Sequence, residues 1–143
     1  MQGRDFLDVA KNLSRSQFEA SLRSAISRAY YALLNTAAQL LMELGFSVEQ
    51  GPGVHGQVRN RFFNCGIEQL GEFSSTLDEL RRQRNEADYN MKSNAFQNQA
   101  ICALRIAKAE TAIRLLADCD KEPLRGQIRT GIREYERKIG LHS

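Results

Sequence analysis

The chain has only three cysteines, Cys65, Cys102 and Cys119, and no two of them form a CxxC pair. An odd count without that spacing disfavours both a disulfide framework and a zinc knuckle. Reduced thiols in a cytoplasmic protein are the expectation. Histidine is scarcer still: His55 and His142 form neither HxxxH nor HExxH, and a metal would need further ligands. Neither a metal nor a cofactor is expected, and His55 reads as a helix-start cap or surface residue with at most a minor phosphate contact beside Arg59. Long apolar runs are also missing. The most apolar region, residues 29–44, is broken by Asn35, Thr36, Gln39 and Glu43, so it does not suit a lipid-facing span. The start, MQGRDFLDVAKNL, is amphipathic with two acids, unlike a signal peptide, and no membrane association is expected. A formal charge of +3 is too mild to imply nucleic acid by itself. With 42% hydrophobic and 26% charged residues, 143 residues suffice for one globular core. No strand pattern, internal repeat or low-complexity tract interrupts the chain.

What is present is helical periodicity. Phe18, Leu22, Ile26, Ala29, Leu33, Ala37, Leu40 and Leu44 recur at spacings of four or three, predicting one long helix from about residue 16 to 44, roughly 43 Å at 1.5 Å per residue. Ser16 with Glu19 has the form of a capping box, and Gly45 supplies a left-handed stop. Phe6, Val9, Ala10 and Leu13 outline a leading helix. Val54, Val58, Phe62 and Cys65 mark a short third helix, and Leu70, Phe73, Leu77 and Leu80 a fourth that runs into LRRQRNEADYN. A fifth, from about residue 93 to 119, is expected to bury Phe96, Ala100, Ala103, Leu104, Ala107 and Leu115. Pro123 suits the first turn of a sixth, striped by Leu124, Ile128, Ile132, Tyr135 and Ile139. The expected fold is all-α, an up-and-down helical bundle over residues 1–120. A C-terminal helix within 121–143 is expected to pack on the bundle or on a partner.

Four features bear on chemistry. Gly51, Gly53 and Gly56 spell GxGxxG, but a dinucleotide site needs a preceding strand and a βαβ unit, so the segment reads as a loop. In the fourth helix, Arg81, Arg84 and Asp88 stand at i, i+3 and i+7 on one face, and Asp78 to Arg82 is a well-oriented i, i+4 pair. From spacing alone this is a solvated charged face, its pairs worth at most about a few tenths of a kcal/mol each. Tyr30 and Tyr31 sit mid-helix, and at least one belongs in the core with its hydroxyl bonded. Ser27 and Asn35 beside them serve either packing or a polar cleft. Arg125, Arg129, Arg133 and Arg137 recur every four residues in the last helix. They form either a ridge for a phosphate backbone or a solubilising face offset by Glu134 and Glu136.

SRAYYALLNTAAQLL (residues 27–41) and LRRQRNEADY (80–89), with HGQVRNRFF (55–63) between them, resemble the signatures of stand-alone prokaryotic HEPN proteins. The similarity spans roughly residues 4–116. It implies a helical bundle that forms a homodimer, with an Arg and a His spaced four to six residues apart lining one shared cleft. Many members act as metal-independent endoribonuclease toxins paired with a nucleotidyltransferase antitoxin, whereas others are non-catalytic and bind RNA or nucleotide. On this resemblance Arg84, Asp88 and Tyr89 are the catalytic candidates, and Arg81, Arg84, Asn85 and Asn35 the candidates for contacting RNA or nucleotide. Arg84 matches the motif arginine, but the histidine position is filled by Asp88 and Tyr89, and no histidine follows until His142. Cleavage by a 2′-hydroxyl needs proton transfer near neutrality, which suits an imidazole. A tyrosine of ordinary pKa is only about one part in a thousand ionised at pH 7. The residues therefore favour binding over turnover.

Overall fold

The computed structural model describes residues 1–140; His142 lies outside them. Six helices account for the fold: α1 (Asp5–Leu13), α2 (Glu19–Glu43), α3 (Val54–Phe63), α4 (Glu68–Tyr89), α5 (Gln99–Cys119) and α6 (Leu124–Lys138). The chain is an all-α helical bundle, with no strand among the described residues. None of these helices is long and apolar enough to cross a membrane.

Helix α2 is the axis of the bundle, packed by α1, α3, α4 and α5. Its periodic stripe from Leu22 to Leu44 is buried as the spacing predicts. Neighbours on several sides also bury Tyr30, Ala32, Leu34, Ala38 and Leu41. Gly45 ends the helix at φ 98°, with Gly45 N–H on the Met42 carbonyl and Phe46 N–H on that of Leu41. This double bond pattern satisfies two orphan carbonyls and tucks Phe46 into the core. The start differs from expectation. Phe18 is the N-cap and is exposed, and Ser16 Oγ accepts from Phe18 N–H rather than forming a capping box.

Helix α5 departs most from its sequence reading. It begins at Gln99 because the Asn98 side chain caps Ile101 N–H, leaving Phe96 buried in the preceding loop. The buried face is Cys102, Ile106, Ala109, Ile113 and Leu116. The face expected to be inside, Ala100, Ala103, Leu104 and Ala107, is exposed, with Leu115 half-buried. Part of it borders a groove of about 700 Å³ between α4 and α5. In α1, Leu7 and Ala10 carry the burial while Val9 is exposed.

Helix α6 packs against α3. Gly131 permits the approach: a Cβ there would lie 1.9 Å from the Cys65 carbonyl oxygen. The arginine ridge is divided in its duties. Arg125 and Arg129 donate to the carbonyls of Glu43 and Leu44 at the end of α2, where cations offset the helix dipole. Glu136, 2% exposed, accepts from Arg61 Nε at 2.9 Å, and Arg61 also donates to the Ser47 carbonyl at 2.8 Å. Glu136 is therefore a buried partner, not part of a solvated face. Removing one member of such a pair strands a buried charge, so Glu136→Ala should destabilise the protein by about 3 kcal/mol. The double variant Arg61→Met, Glu136→Leu should recover most of that loss in urea denaturation. Additive losses in the double variant would show that the two residues are not coupled.

Candidate functional site

The C-terminal half of α4 carries the candidate residues, and its end is held in place by an arginine of α2. Arg23 is only 7% exposed. Its guanidinium donates to the carbonyls of Ala87 at 2.8 Å, Asn90 at 2.9 Å and Ser93 at 2.9 Å, with a longer bond to that of Glu86. The last carbonyls of a helix have no partners within it, and a fixed fork of donors satisfies several at once. The Phe96 ring lies 4.8 Å beneath the same guanidinium. The sequence reading passed over Arg23 because it lies beside an apolar stripe with a glutamate four residues before it, the pattern of a surface pair.

One turn inward, Arg84 is ordered on three sides. It donates to the Tyr31 hydroxyl at 2.5 Å and to Asn85 Oδ1 at 2.8 Å. Its Nε lies 3.1 Å from Asp88 Oδ2, an ion-pair distance without hydrogen-bond alignment. The rings of Tyr30, Tyr31 and Tyr89 surround the guanidinium at 5.9, 5.2 and 5.6 Å. Ser27 Oγ donates to Asp88, so this serine joins the cluster. Arg84 and Asp88 remain partly open to solvent, and Tyr89 is 72% exposed. Arg81, one turn before, is exposed and joins no ion pair among the described residues.

The structure thus brings together Arg84, Asp88, Tyr89 and Asn85, with Arg81 alongside. Asn35 is exposed one turn along α2 from Tyr31, beneath the backbone of Gly3, and makes no hydrogen bond to the cluster among the described residues. The expected Asp78 to Arg82 pair does not form. Asp78 instead turns to α3, accepting from His55 Nε2 at 2.9 Å and from Arg59 Nε at 3.1 Å. His55 is not a surface cap: it is 6% exposed, and its Nδ1 lies 2.9 Å from the Tyr30 hydroxyl.

No protein-family model, curated protein or solved structure matches the chain. Among the described residues no three His, Cys, Asp or Glu side chains gather as metal ligands. The cysteines are buried and free, and burial raises the thiol pKa of each, which keeps them protonated and unreactive. Burial pushes the Tyr30 phenol up to about 12 against the pull of Arg81 and Arg84, so it stays a hydrogen-bond donor. The cluster can bind an anion through Arg84 and Arg81. Among the described residues it has no exposed imidazole to move a proton.

Burial lowers the His55 pKa below its ordinary 6.5, opposed by the bond to Asp78. Burial raises that of Asp78, but bonds from His55 and Arg59 outweigh it and bring it below 3.8. As pH falls through 6.5 the unfolded chain takes up the histidine proton first, so His55's contribution is complete above that value and lost towards its lower folded pKa. Asp78's contribution is present above 3.8 and lost below it. His55→Gln should abolish the first decline and keep the second in urea denaturation at stepped pH. An unchanged acid profile would exclude His55 as the source. In a separate test, Arg23→Ala should cost about 2–3 kcal/mol and speed amide exchange at residues 86–93. Loss of stability without local exchange there would refute the anchoring role.

Proposed function

We propose that this chain is an RNA-directed protein of the HEPN type, whose homodimer gathers two copies of the Arg84 cluster into one cleft that holds phosphate. The observation that carries the reading is the fixed Arg84 guanidinium at the solvent edge of α4, with the exposed Arg81 beside it. A guanidinium already ordered by Tyr31 and Asn85 loses little freedom on meeting a phosphate, which favours affinity. Asp88 partly neutralises it and competes with an incoming anion, so Arg81 supplies the charge that tips the balance. The signatures in α2 and α4 support the same assignment by resemblance. Binding is the primary activity on this reading, and metal-independent endoribonuclease action in the manner of a toxin is its further extension.

Purified protein should bind single-stranded RNA with an affinity that falls as salt rises. Arg84→Ala and Arg81→Ala should each weaken binding by roughly tenfold, the scale of one lost charge-assisted phosphate contact. Light scattering should give a dimer. A monomer, or RNA affinity unaltered by Arg84→Ala, would overturn the reading. Cleavage is tested on the same RNA with and without chelator, and its absence in wild type removes the ribonuclease extension alone.

A second reading is favoured by the exposure of Tyr89. In it the chain is a non-catalytic adaptor that pairs with a nucleotidyltransferase, holds nucleotide and offers that phenol for modification. Intact mass after co-expression with a small nucleotidyltransferase decides it. An added nucleotide that disappears in Tyr89→Phe supports this reading, and an unchanged wild-type mass refutes it.

A further inference from the structure

Three helices meet in a polar chain, buried at His55 and Tyr30 and partly open at Arg59 and Asp78, that the proposed binding site does not itself use. It runs from Arg59 on α3 to Asp78 on α4, then to His55 on α3 and Tyr30 on α2. Ionised Asp78 only accepts, so His55 carries its hydrogen on Nε2, and the bare Nδ1 accepts from the Tyr30 hydroxyl. The charged and titratable groups facing this imidazole are Tyr30 from α2, Arg59 from α3, and Asp78 and Arg81 from α4. Neither the imidazole nor the Tyr30 ring, 3% exposed, can touch a solvent-borne ligand. Both lie directly behind the arginine cluster. Tyr30 meets Tyr31 edge to face at 5.2 Å, and Arg84 rests against both rings while donating to the Tyr31 hydroxyl.

We propose that His55 is a positioning residue for Arg84: the Asp78–His55–Tyr30 chain fixes the aromatic pair that supports the guanidinium, and phosphate affinity depends on that chain being intact. The inference rests on the phosphate-binding reading and deepens it. Without the Nδ1 acceptor, the buried Tyr30 hydroxyl must turn to find another partner, and without that hydroxyl nothing ties the ring to His55 on α3. Tyr31 then loses the ring it packs against, and Arg84 loses its fixed acceptor. Preorganisation of a binding group by the residues behind it is worth keeping only when those residues are themselves locked, and here both imidazole nitrogens are engaged.

His55→Gln keeps one acceptor and one donor with similar spacing and does not titrate. His55→Phe fills the space but leaves the Tyr30 hydroxyl unpaired and Asp78 held by Arg59 alone, and Tyr30→Phe removes only the hydroxyl. Two readouts are taken on variants shown by thermal melting to be folded: the ¹⁵N resonance of Arg84 Nε, and affinity for a fluorescein-labelled single-stranded RNA. The Arg84 signal should stay resolved and slowly exchanging in wild type and His55→Gln, and collapse to the exchange-averaged position in His55→Phe and Tyr30→Phe. RNA affinity should fall roughly tenfold in the latter two and be rescued by glutamine. Folded His55→Phe with both readouts unchanged overturns the proposal, as does a glutamine variant as impaired as phenylalanine. If His55→Phe does not fold, Tyr30→Phe decides by the same two measures. Should wild type bind no RNA, the function proposed above fails, while the Arg84 resonance still tests the positioning role.

Discussion

The Arg23 guanidinium on the final carbonyls of α4 is the contact on which the candidate site depends. A helix end is the weakest part of a helix, because its carbonyls lack donors and the last turn frays. Here the last turn holds Asp88 and Tyr89, and the turn before it Arg84. A residue of the central helix reaches across to bind the Ala87, Asn90 and Ser93 carbonyls, converting a fraying end into part of the bundle. The charge is buried, but every direction in which it points ends on an acceptor or an aromatic face, which is the condition under which burying a guanidinium is tolerable.

Helix α2 then does two things at neighbouring positions. Arg23 fixes the backbone of α4, while Ser27, Tyr30 and Tyr31, one and two turns on, meet its side chains. The two tyrosines divide the work by the direction in which they point. Tyr30 faces inward to His55, and Tyr31 faces outward to Arg84. Adjacent residues on a helix are separated by about 100°, so a tyrosine pair can join a buried hydrogen-bond chain to a surface cation without a break in packing. That is a physical reason for two tyrosines in succession that composition or burial alone does not supply.

The helices and most of their ends were legible because apolar spacing and glycine stops are local signals. Leu22 to Leu44 and Gly45 needed no tertiary information. Helix α5 was misread for the same reason: it is apolar on two sides, and local periodicity cannot say which side the bundle covers. Cys102, Ile106 and Ile113 went inside, leaving Leu104 and Ala107 at the groove. The site residues on α4 were visible as a cluster since i, i+3 and i+7 share a face. The partner of Asp78 was not visible. A local pair with Arg82 competes with His55, which lies 23 residues away in the chain, and only the packing of α3 on α4 decides between them.

His55 shows why a scarce residue resists reading from sequence. A lone histidine at the start of a short helix, preceded by glycines, has the local character of a surface position. It becomes interior because the α2–α3 loop returns the chain to the side of α2 that presents Tyr30, while α4 presents Asp78 to its other nitrogen. Both polar partners come from elements distant in sequence, so burial and satisfaction arrive together on folding. The same geometry separates the imidazole from the guanidinium by a layer of tyrosine. An imidazole so placed cannot exchange protons with a ligand at Arg84, but it can set how firmly that arginine is held.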